Sequence, residues 1–435
     1  MKKLVLFIIL FLIGLPSVLA QQGQIVISGR ISDKESQKGV PFALIYVKNS
    51  RICTQSNIEG YYCLKVPNTY RQASVVFSSF GYRSDTIDVN KLKARPNIKL
   101  TPGGIELRAV VVSAFTPQSV IDEALRRIPE NYQCDTTLNV FFSRCCKMAN
   151  DSIYLFYENM FTSCRTGYDK NQKQRRLNYY SRHGVNSNYN IVDKSRLLVF
   201  DTDYITDFLR MPSDVKWKMS YNDNLVIIDL VETSLASYAL SPLRKKRKQN
   251  RYTMQEFVDN DGVGCYLVTV RRGKWTHQVT IRKDNYAITD MVTDSDTSTT
   301  YYPDGEFYRS SHPYIKYTLL RSHQEWHYRP INGKYTLVSE MHHYKGCGLC
   351  HGQYLWAGAP KEQRFEEMFL LQLVEQRCGD WSFFDNNPVL KGGNILYSDV
   401  PMRDTTYVQD YWDRNNYIPL EKRLENRLLE KLRKL

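Results

Sequence analysis

Beyond residue 20 the chain has no apolar run near the roughly 18 residues a helix needs to cross a bilayer, so the mature protein is expected to be soluble or peripherally bound. It has no G-x-S-x-G elbow, no H-E-x-x-H pair and no Walker-type glycine loop. The common signatures of α/β-hydrolases, zinc proteases and P-loop nucleotide enzymes are therefore missing. Only one Cys-x-x-C pair occurs, Cys347 and Cys350, without the second pair that makes a structural zinc site recognisable. Asp259-Asn260-Asp261-Gly262 begins like a calcium loop but lacks the distal bidentate glutamate, so it reads as a turn. Asp201, Asp203 and Asp207, and likewise Asp294 and Asp296, are adjacent in sequence with nothing to set them across a cleft, and they too read as turns.

What is present begins with a leader. Lys2 and Lys3 precede the apolar run Leu4 to Leu15, and Ser17-Val18-Leu19-Ala20 supplies small residues for cleavage, which predicts a Sec signal peptide at 1–20. No cysteine follows it directly, so a lipid anchor is not expected. The chain carries 59 lysines and arginines against 45 acidic residues. With Lys2 and Lys3 removed, 57 minus 45 leaves +12 on the mature chain, a balance suited to anionic envelope surfaces rather than nucleic acid. Ten cysteines in an oxidising compartment permit disulfides without fixing their connectivity.

Residues 24–100 alternate like strands, with a turn signal every eight to twelve residues, in "QIVISGRISD", "PFALIYVKNS", "YYCLKVP", "ASVVFSSFGY" and "SDTIDV". No helical period interrupts them, and the pattern predicts a small antiparallel sandwich. A five-residue loop at 56–60 would set Cys53 opposite Cys63 in a hairpin, which makes the two a candidate cross-strand disulfide, although only some cross-strand sites meet the geometry. Through Gly29, Gly39-Val40-Pro41, Gly60, Tyr62 and Gly81-Tyr82 this stretch resembles the carboxypeptidase regulatory-like domain, a transthyretin-like sandwich of seven strands. The following "IELRAVVVSA" is similar to the segment after that domain in TonB-dependent outer-membrane transporters. The remaining 320 or so residues are too few for a plug and a 22-stranded barrel. The resemblance implies a non-catalytic accessory module in an envelope or secreted context.

Downstream, "TPQSVIDEALRRIPENY" places Val120, Ile121, Ala124, Leu125 and Ile128 on one helical face, with Pro129 ending the helix. From there to about 350 the chain reads as tyrosine-rich strands, with turns at Asp259 to Gly262 and at Asn332-Gly333. "RYTMQEFVDNDGVGCYLVTV" and "THQVTIRKDNYAITDM" are similar to the meander of LolA-like half-barrels and to uncharacterised exported proteins that join such a region to the regulatory-like module. "YVQDYWDRNNYIPLEKRLENRL" resembles the Tyr-x-x-x-aromatic-Trp-x-x-x-Asn element that precedes the last helix in that second group. A half-barrel implies a concave face, here with Val268, Val270, Val279, Ile281, Leu337 and Met341, which either packs as core or holds a hydrophobic ligand. Leu420, Leu424, Leu428 and Leu432 recur at four-residue steps and predict a final helix packed on the sheet.

Two constellations remain. Arg244, Lys245, Lys246, Arg247 and Lys248 form a basic run whose default reading is a solvated loop and whose functional alternative is contact with anionic headgroups. Cys347-Gly348-Leu349-Cys350-His351 has the spacing of covalent haem attachment, with Met341 or His343 as a distal ligand. His343, Cys347, Cys350 and His351 are also the candidate metal ligands. The strand before the motif and the lack of helical period after it favour a loop thiol pair, oxidised between Cys347 and Cys350.

The expected fold is mainly β: a seven-stranded sandwich at 22–102, a linker and helix at 103–132, an antiparallel half-barrel-like domain at 133–360, and an extension at 361–435 ending in a helix. The expected function is a non-catalytic envelope binding or scaffold protein at the periplasm or outer membrane, with no cofactor and no catalytic residue assigned. Expected partners are envelope proteins, a lipid or a glycan. The alternative is a redox, metal or haem protein centred on Cys347, Cys350 and His351.

Overall fold

The computed structural model describes residues 23–79, 81–103, 115–165, 190–200, 250–259, 262–295, 299–301, 315–350, 362–379 and 409–432. It is mainly β and divides into two compact units, Met1–Pro102 with Asp410–Pro419, and Gly103–Gln409 with Leu420–Leu435.

The first unit has the seven expected strands. β1 (Gln24–Asp33), β4 (Tyr61–Pro67) and β7 (Ile98–Leu100) form one sheet in the order β4-β1-β7. β2 (Leu44–Val47), β3 (Cys53–Gln55), β5 (Ser74–Ser78) and β6 (Asp85–Asp88) form the other in the order β3-β2-β5-β6. The alternating apolar residues of β1, β4 and β5, among them Ile27, Ile31, Leu64, Val66 and Phe77, are buried between the sheets. Gly60 has φ +85° at the end of the 56–60 turn, and a Cβ there would lie 2.3 Å from the Ile31 carbonyl oxygen, so only glycine fits. Asn57 holds the turn by accepting from the amides of Glu59 and Tyr61 through its Oδ1.

Three expectations for this unit are corrected. β1 and β7 pair in parallel, so the sandwich is not wholly antiparallel. Helix α1 (Val89–Ala94) interrupts the strands and buries Val89 and Leu92, too short a segment to display a period in sequence. The 56–60 turn does not form a β3/β4 hairpin: Cys53 pairs with Tyr46 in one sheet and Cys63 with Ser28 in the other. The register expected to join the two thiols is therefore absent.

In the second unit, α2 (Pro117–Arg126) is capped by Thr116, whose hydroxyl accepts from the Ser119 amide at 3.1 Å, and it buries Val120, Ile121 and Ala124. Pro129 follows the end of this helix at Arg126. It lies in the first turn of a second short helix, α3 (Ile128–Asn131), where its missing N–H costs nothing. Tyr132 then enters the core, its hydroxyl donating to the Ile288 carbonyl at 2.6 Å and accepting from the Ile288 amide at 2.9 Å.

The strands that follow are β8 (Thr137–Ala149), β9 (Ser152–Arg165), β10 (Asn190–Phe200), β11 (Arg251–Val258), β12 (Gly264–Arg272), β13 (Trp275–Arg282), β14 (Ile288–Ser295), β15 (Thr299–Tyr301), β16 (Ile315–Ile331), β17 (Lys334–Cys350) and β18 (Glu362–Cys378). They form one antiparallel sheet in the order β10-β9-β8-β18-β17-β16-β14-β13-β12-β11, with β15 beside β16. Asn332 and Gly333 both have positive φ and make the two-residue turn between β16 and β17. β18 lies between β17 and β8, so the boundary expected at 360/361 falls inside the sheet. Helix α4 (Gln409–Arg414) lies at the start of the segment Asp410–Pro419, which groups with the first unit. The last helix, α5 (Lys422–Leu432), packs Leu424 and Leu428 on Cys146, Ile153 and Phe156 of the large sheet, as its leucine spacing predicts.

Candidate functional site

Successive side chains of a strand point to opposite faces, so residues two apart share one. On β16 this places His323, Glu325 and His327 on a single face, and the register with β14 sets Asp294 opposite His323 and Asp290 opposite His327. The side chains join into a continuous ladder. His323 donates from Nδ1 to Asp294 Oδ1 at 2.6 Å and from Nε2 to Glu325 Oε1 at 2.7 Å. His327 donates from Nε2 to Glu325 Oε2 at 3.3 Å and from Nδ1 to Asp290 Oδ1 at 2.8 Å. Arg329 closes the row with a bond from its guanidinium to Asp290 at 3.0 Å.

The ladder alternates in charge, and each member fixes the protonation of its neighbours. Burial alone lowers both imidazoles, but the flanking carboxylates overcome it and hold His323 and His327 at about 9. Burial opposes ionisation of Glu325 as well, yet hydrogen bonds from the two histidines bring it down to about 2. Against the same desolvation, the charges of Arg329 and His327 keep Asp290 below the usual carboxylate range. At neutral pH both histidines are thus imidazolium ions with both N–H groups committed. That is the wrong state for a general base, which works best with a pKa near the ambient pH.

Related pairs continue across the sheet. His343, opposite His323 on β17, approaches Glu366 at 2.7 Å, and Lys345 reaches the same carboxylate at 3.2 Å. These contacts lower Glu366 to about 2. Further along, the fully buried Arg144 meets Glu158 at 2.7 Å and Glu421, just before α5, at 3.5 Å. The other face of β16 and β17 is aromatic: His342 lies 2.8 Å from Glu340 and packs edge-on against Trp326. Nearby His277 shares a 3.0 Å bond with Thr293 and is held down to about 4 by burial and by Arg272.

Most residues singled out in the sequence do not converge. β17 runs extended through Cys350. Three residues of strand separate the Cα atoms of Cys347 and Cys350 by about 10 Å, beyond the roughly 7 Å that a disulfide spans. The expected local disulfide does not fit that backbone. His343 and Cys347, four residues apart, are about 13 Å distant along the same strand, too far to share a metal ion, and His343 faces Glu366 instead. His351 and the basic run Arg244 to Lys248 lie outside the described residues. Among the described residues no group of three or more His, Cys, Asp or Glu side chains is arranged to hold a metal ion. Burial raises the Cys53 and Cys265 thiols to about 12, far from nucleophilic thiolates.

Asp259 does sit in a turn, accepting from the Val263 amide and pairing with Arg282 at 3.1 Å. Asp294 does not: it belongs to β14 and to the ladder. The available signal was the period-two order His323-x-Glu325-x-His327-x-Arg329, matched by Asp290 and Asp294 four residues apart. Of the residues suggested for a concave face, Val268, Val270 and Val279 are buried on the aromatic side, whereas Met341 lies opposite Glu325 on the ladder side.

Residues 27–112 match the CarboxypepD_reg-like domain family. Among solved structures, the chain is similar to a LolA-superfamily protein of Nitrosomonas europaea, at 12% identity over 61% of this chain and 95% of that one, with a TM-score of 0.20. It is also similar to a Bacteroides fragilis protein described as membrane-associated and of unknown function, at 8% identity over 82% of this chain and 99% of the other, with a TM-score of 0.14. No curated protein matches the chain. Among the described residues no helix is long and apolar enough to cross a membrane, a statement about helices only.

Proposed function

We propose that the chain is an exported, non-catalytic binding or scaffold protein of the periplasm or outer membrane, holding a hydrophobic or glycan ligand. The observation that carries this reading is the match of residues 27–112 to a regulatory-like module, whose resemblance implies an accessory role. The chemistry of the ladder supports it. His323 and His327 are each bound on both nitrogens by carboxylates, and the buried thiols sit far above neutral pH. These groups favour stability over turnover.

The anionic-surface part of the proposal concerns Arg244 to Lys248, each worth about 1 kcal/mol near a charged membrane. Flotation of the purified mature protein with phosphatidylglycerol vesicles tests it. Binding that weakens with salt and when all five residues become glutamine supports the reading, and binding indifferent to the substitution removes it. Fractionation of cells making the full chain tests the location: recovery in the periplasm or outer membrane is expected, and retention of an uncleaved chain in the cytoplasm contradicts it.

A further inference from the structure

β4 is an outer strand of its sheet, and its backbone groups at alternate positions point away from β1 toward open edge. Those positions are Tyr61, Cys63, Lys65 and Pro67. Asn57 satisfies Tyr61, its Oδ1 accepting from the Tyr61 amide while its own amide donates to the Tyr61 carbonyl. Pro67 has no N–H to offer. At Lys65 the partner comes from 351 residues away: Asn416 Oδ1 accepts from the Lys65 amide at 2.7 Å, and Asn416 Nδ2 donates to the Lys65 carbonyl at 3.1 Å. A side-chain carboxamide here takes the place of the peptide group of a neighbouring strand.

The Lys65 side chain completes the grip. Its ammonium donates to the carbonyls of Trp412 at 2.8 Å and Asn415 at 2.9 Å and lies 4.5 Å from the centre of the Tyr417 ring. Gln24 Nε2 donates to the Arg414 carbonyl at 3.1 Å. Trp412 is buried and meets Tyr417 edge-on. The Trp-x-x-x-Asn spacing noted in the sequence is therefore the part of the tail that the sandwich recognises.

The tail is nevertheless foreign to the sandwich core. Among the described residues the buried cluster between the two sheets draws on residues 25–100, and none of the described side chains of 412–419 enters it. The family match at 27–112 likewise excludes the tail.

We infer that the edge of β4 around Lys65 is a peptide-binding site whose occupant is the chain's own Trp412–Ile418 segment, docked as a ligand on an already complete sandwich. Recognition caps the strand edge through side chains: the Asn416 carboxamide meets the Lys65 main chain, the Lys65 ammonium meets the Trp412 and Asn415 carbonyls, and the Trp412 and Tyr417 rings give selectivity. Because the segment is tethered, its effective concentration is on the order of millimolar, enough to exclude a free peptide at micromolar levels.

The test uses the full chain and a fluorescent peptide of residues 409–420. In a Trp412→Ala, Asn416→Ala variant the resident segment releases the site, and the peptide binds. In the wild type, with the resident segment docked about 99% of the time, the peptide binds about 100-fold more weakly. Adding Lys65→Met to the double variant removes peptide binding while the circular dichroism stays that of the folded chain. Three results overturn the inference: a folded double variant that does not take the peptide, equal binding by variant and wild type, or loss of the sandwich's unfolding transition in the double variant, which would make the segment framework and not ligand.

Discussion

Replacing Glu325 with Gln removes the carboxylate that bridges His323 and His327 while keeping its size. A carboxyl held at about 2 instead of 4.5 contributes about 3 kcal/mol at pH 7 by linkage, so Glu325→Gln should cost the large sheet about that much. The sign of the pH dependence follows from the shifts. Glu325 is lowered on folding, so its contribution is full above its unfolded value and is lost as pH falls toward about 2. His323 and His327 are raised, so theirs is full below about 6.5 and is lost as pH rises through about 9. The difference between wild type and variant should be widest between about pH 5 and 7 and shrink by pH 10. Urea unfolding of both proteins across that range measures it, with imidazole NMR titration reporting the two histidines directly. A cost below about 0.5 kcal/mol, the size of an ordinary surface substitution, or one unchanged at pH 10, would refute the electrostatic account.

Further substitutions probe the rest of the fold. Leu428→Ala, which empties part of the α5 contact with Cys146 and Phe156, should cost about 2–5 kcal/mol and raise hydrogen exchange in α5 first. Arg144→Met strands Glu158 and Glu421 without their buried cation and should cost about 3–5 kcal/mol. Replacing Arg144 and Glu158 together with apolar residues should recover part of that loss in a thermal melt. Gly60→Ala forces a side chain toward the Ile31 carbonyl at positive φ and should lower the sandwich's unfolding midpoint, whereas Gly262→Ala, also at positive φ but with nothing within 4 Å, should cost less.

Much of this architecture could be read from the chain because its signals are local. The β1 and β4 alternation, the Asn332-Gly333 turn and the four-residue leucine steps of α5 each follow from a few neighbouring residues. Errors arose where pairing over distance decides. The 56–60 turn looks like a hairpin, yet β3 crosses to the other sheet and takes Cys53 away from Cys63. "CGLCH" looks like a loop motif, yet β17 continues through Cys350 in pairing with β16. The ladder was half visible: the alternation of His323, Glu325, His327 and Arg329 is local, but nothing in the sequence says that β14 lies beside β16 in the register that brings Asp290 and Asp294 to them. Likewise the Trp412-x-x-x-Asn416 spacing is plain, while its partner at Lys65 appears only when the tail folds back.

The measurement that bears most directly on the proposed function is detergent-free native mass spectrometry of the mature protein purified after export. A binding protein of the envelope should carry a non-covalent lipid or glycan mass that disappears on denaturation, leaving the bare polypeptide. A bare chain under native conditions contradicts ligand binding, and a mass that survives denaturation at Cys347 and Cys350, or one stoichiometric zinc ion, contradicts the non-redox reading.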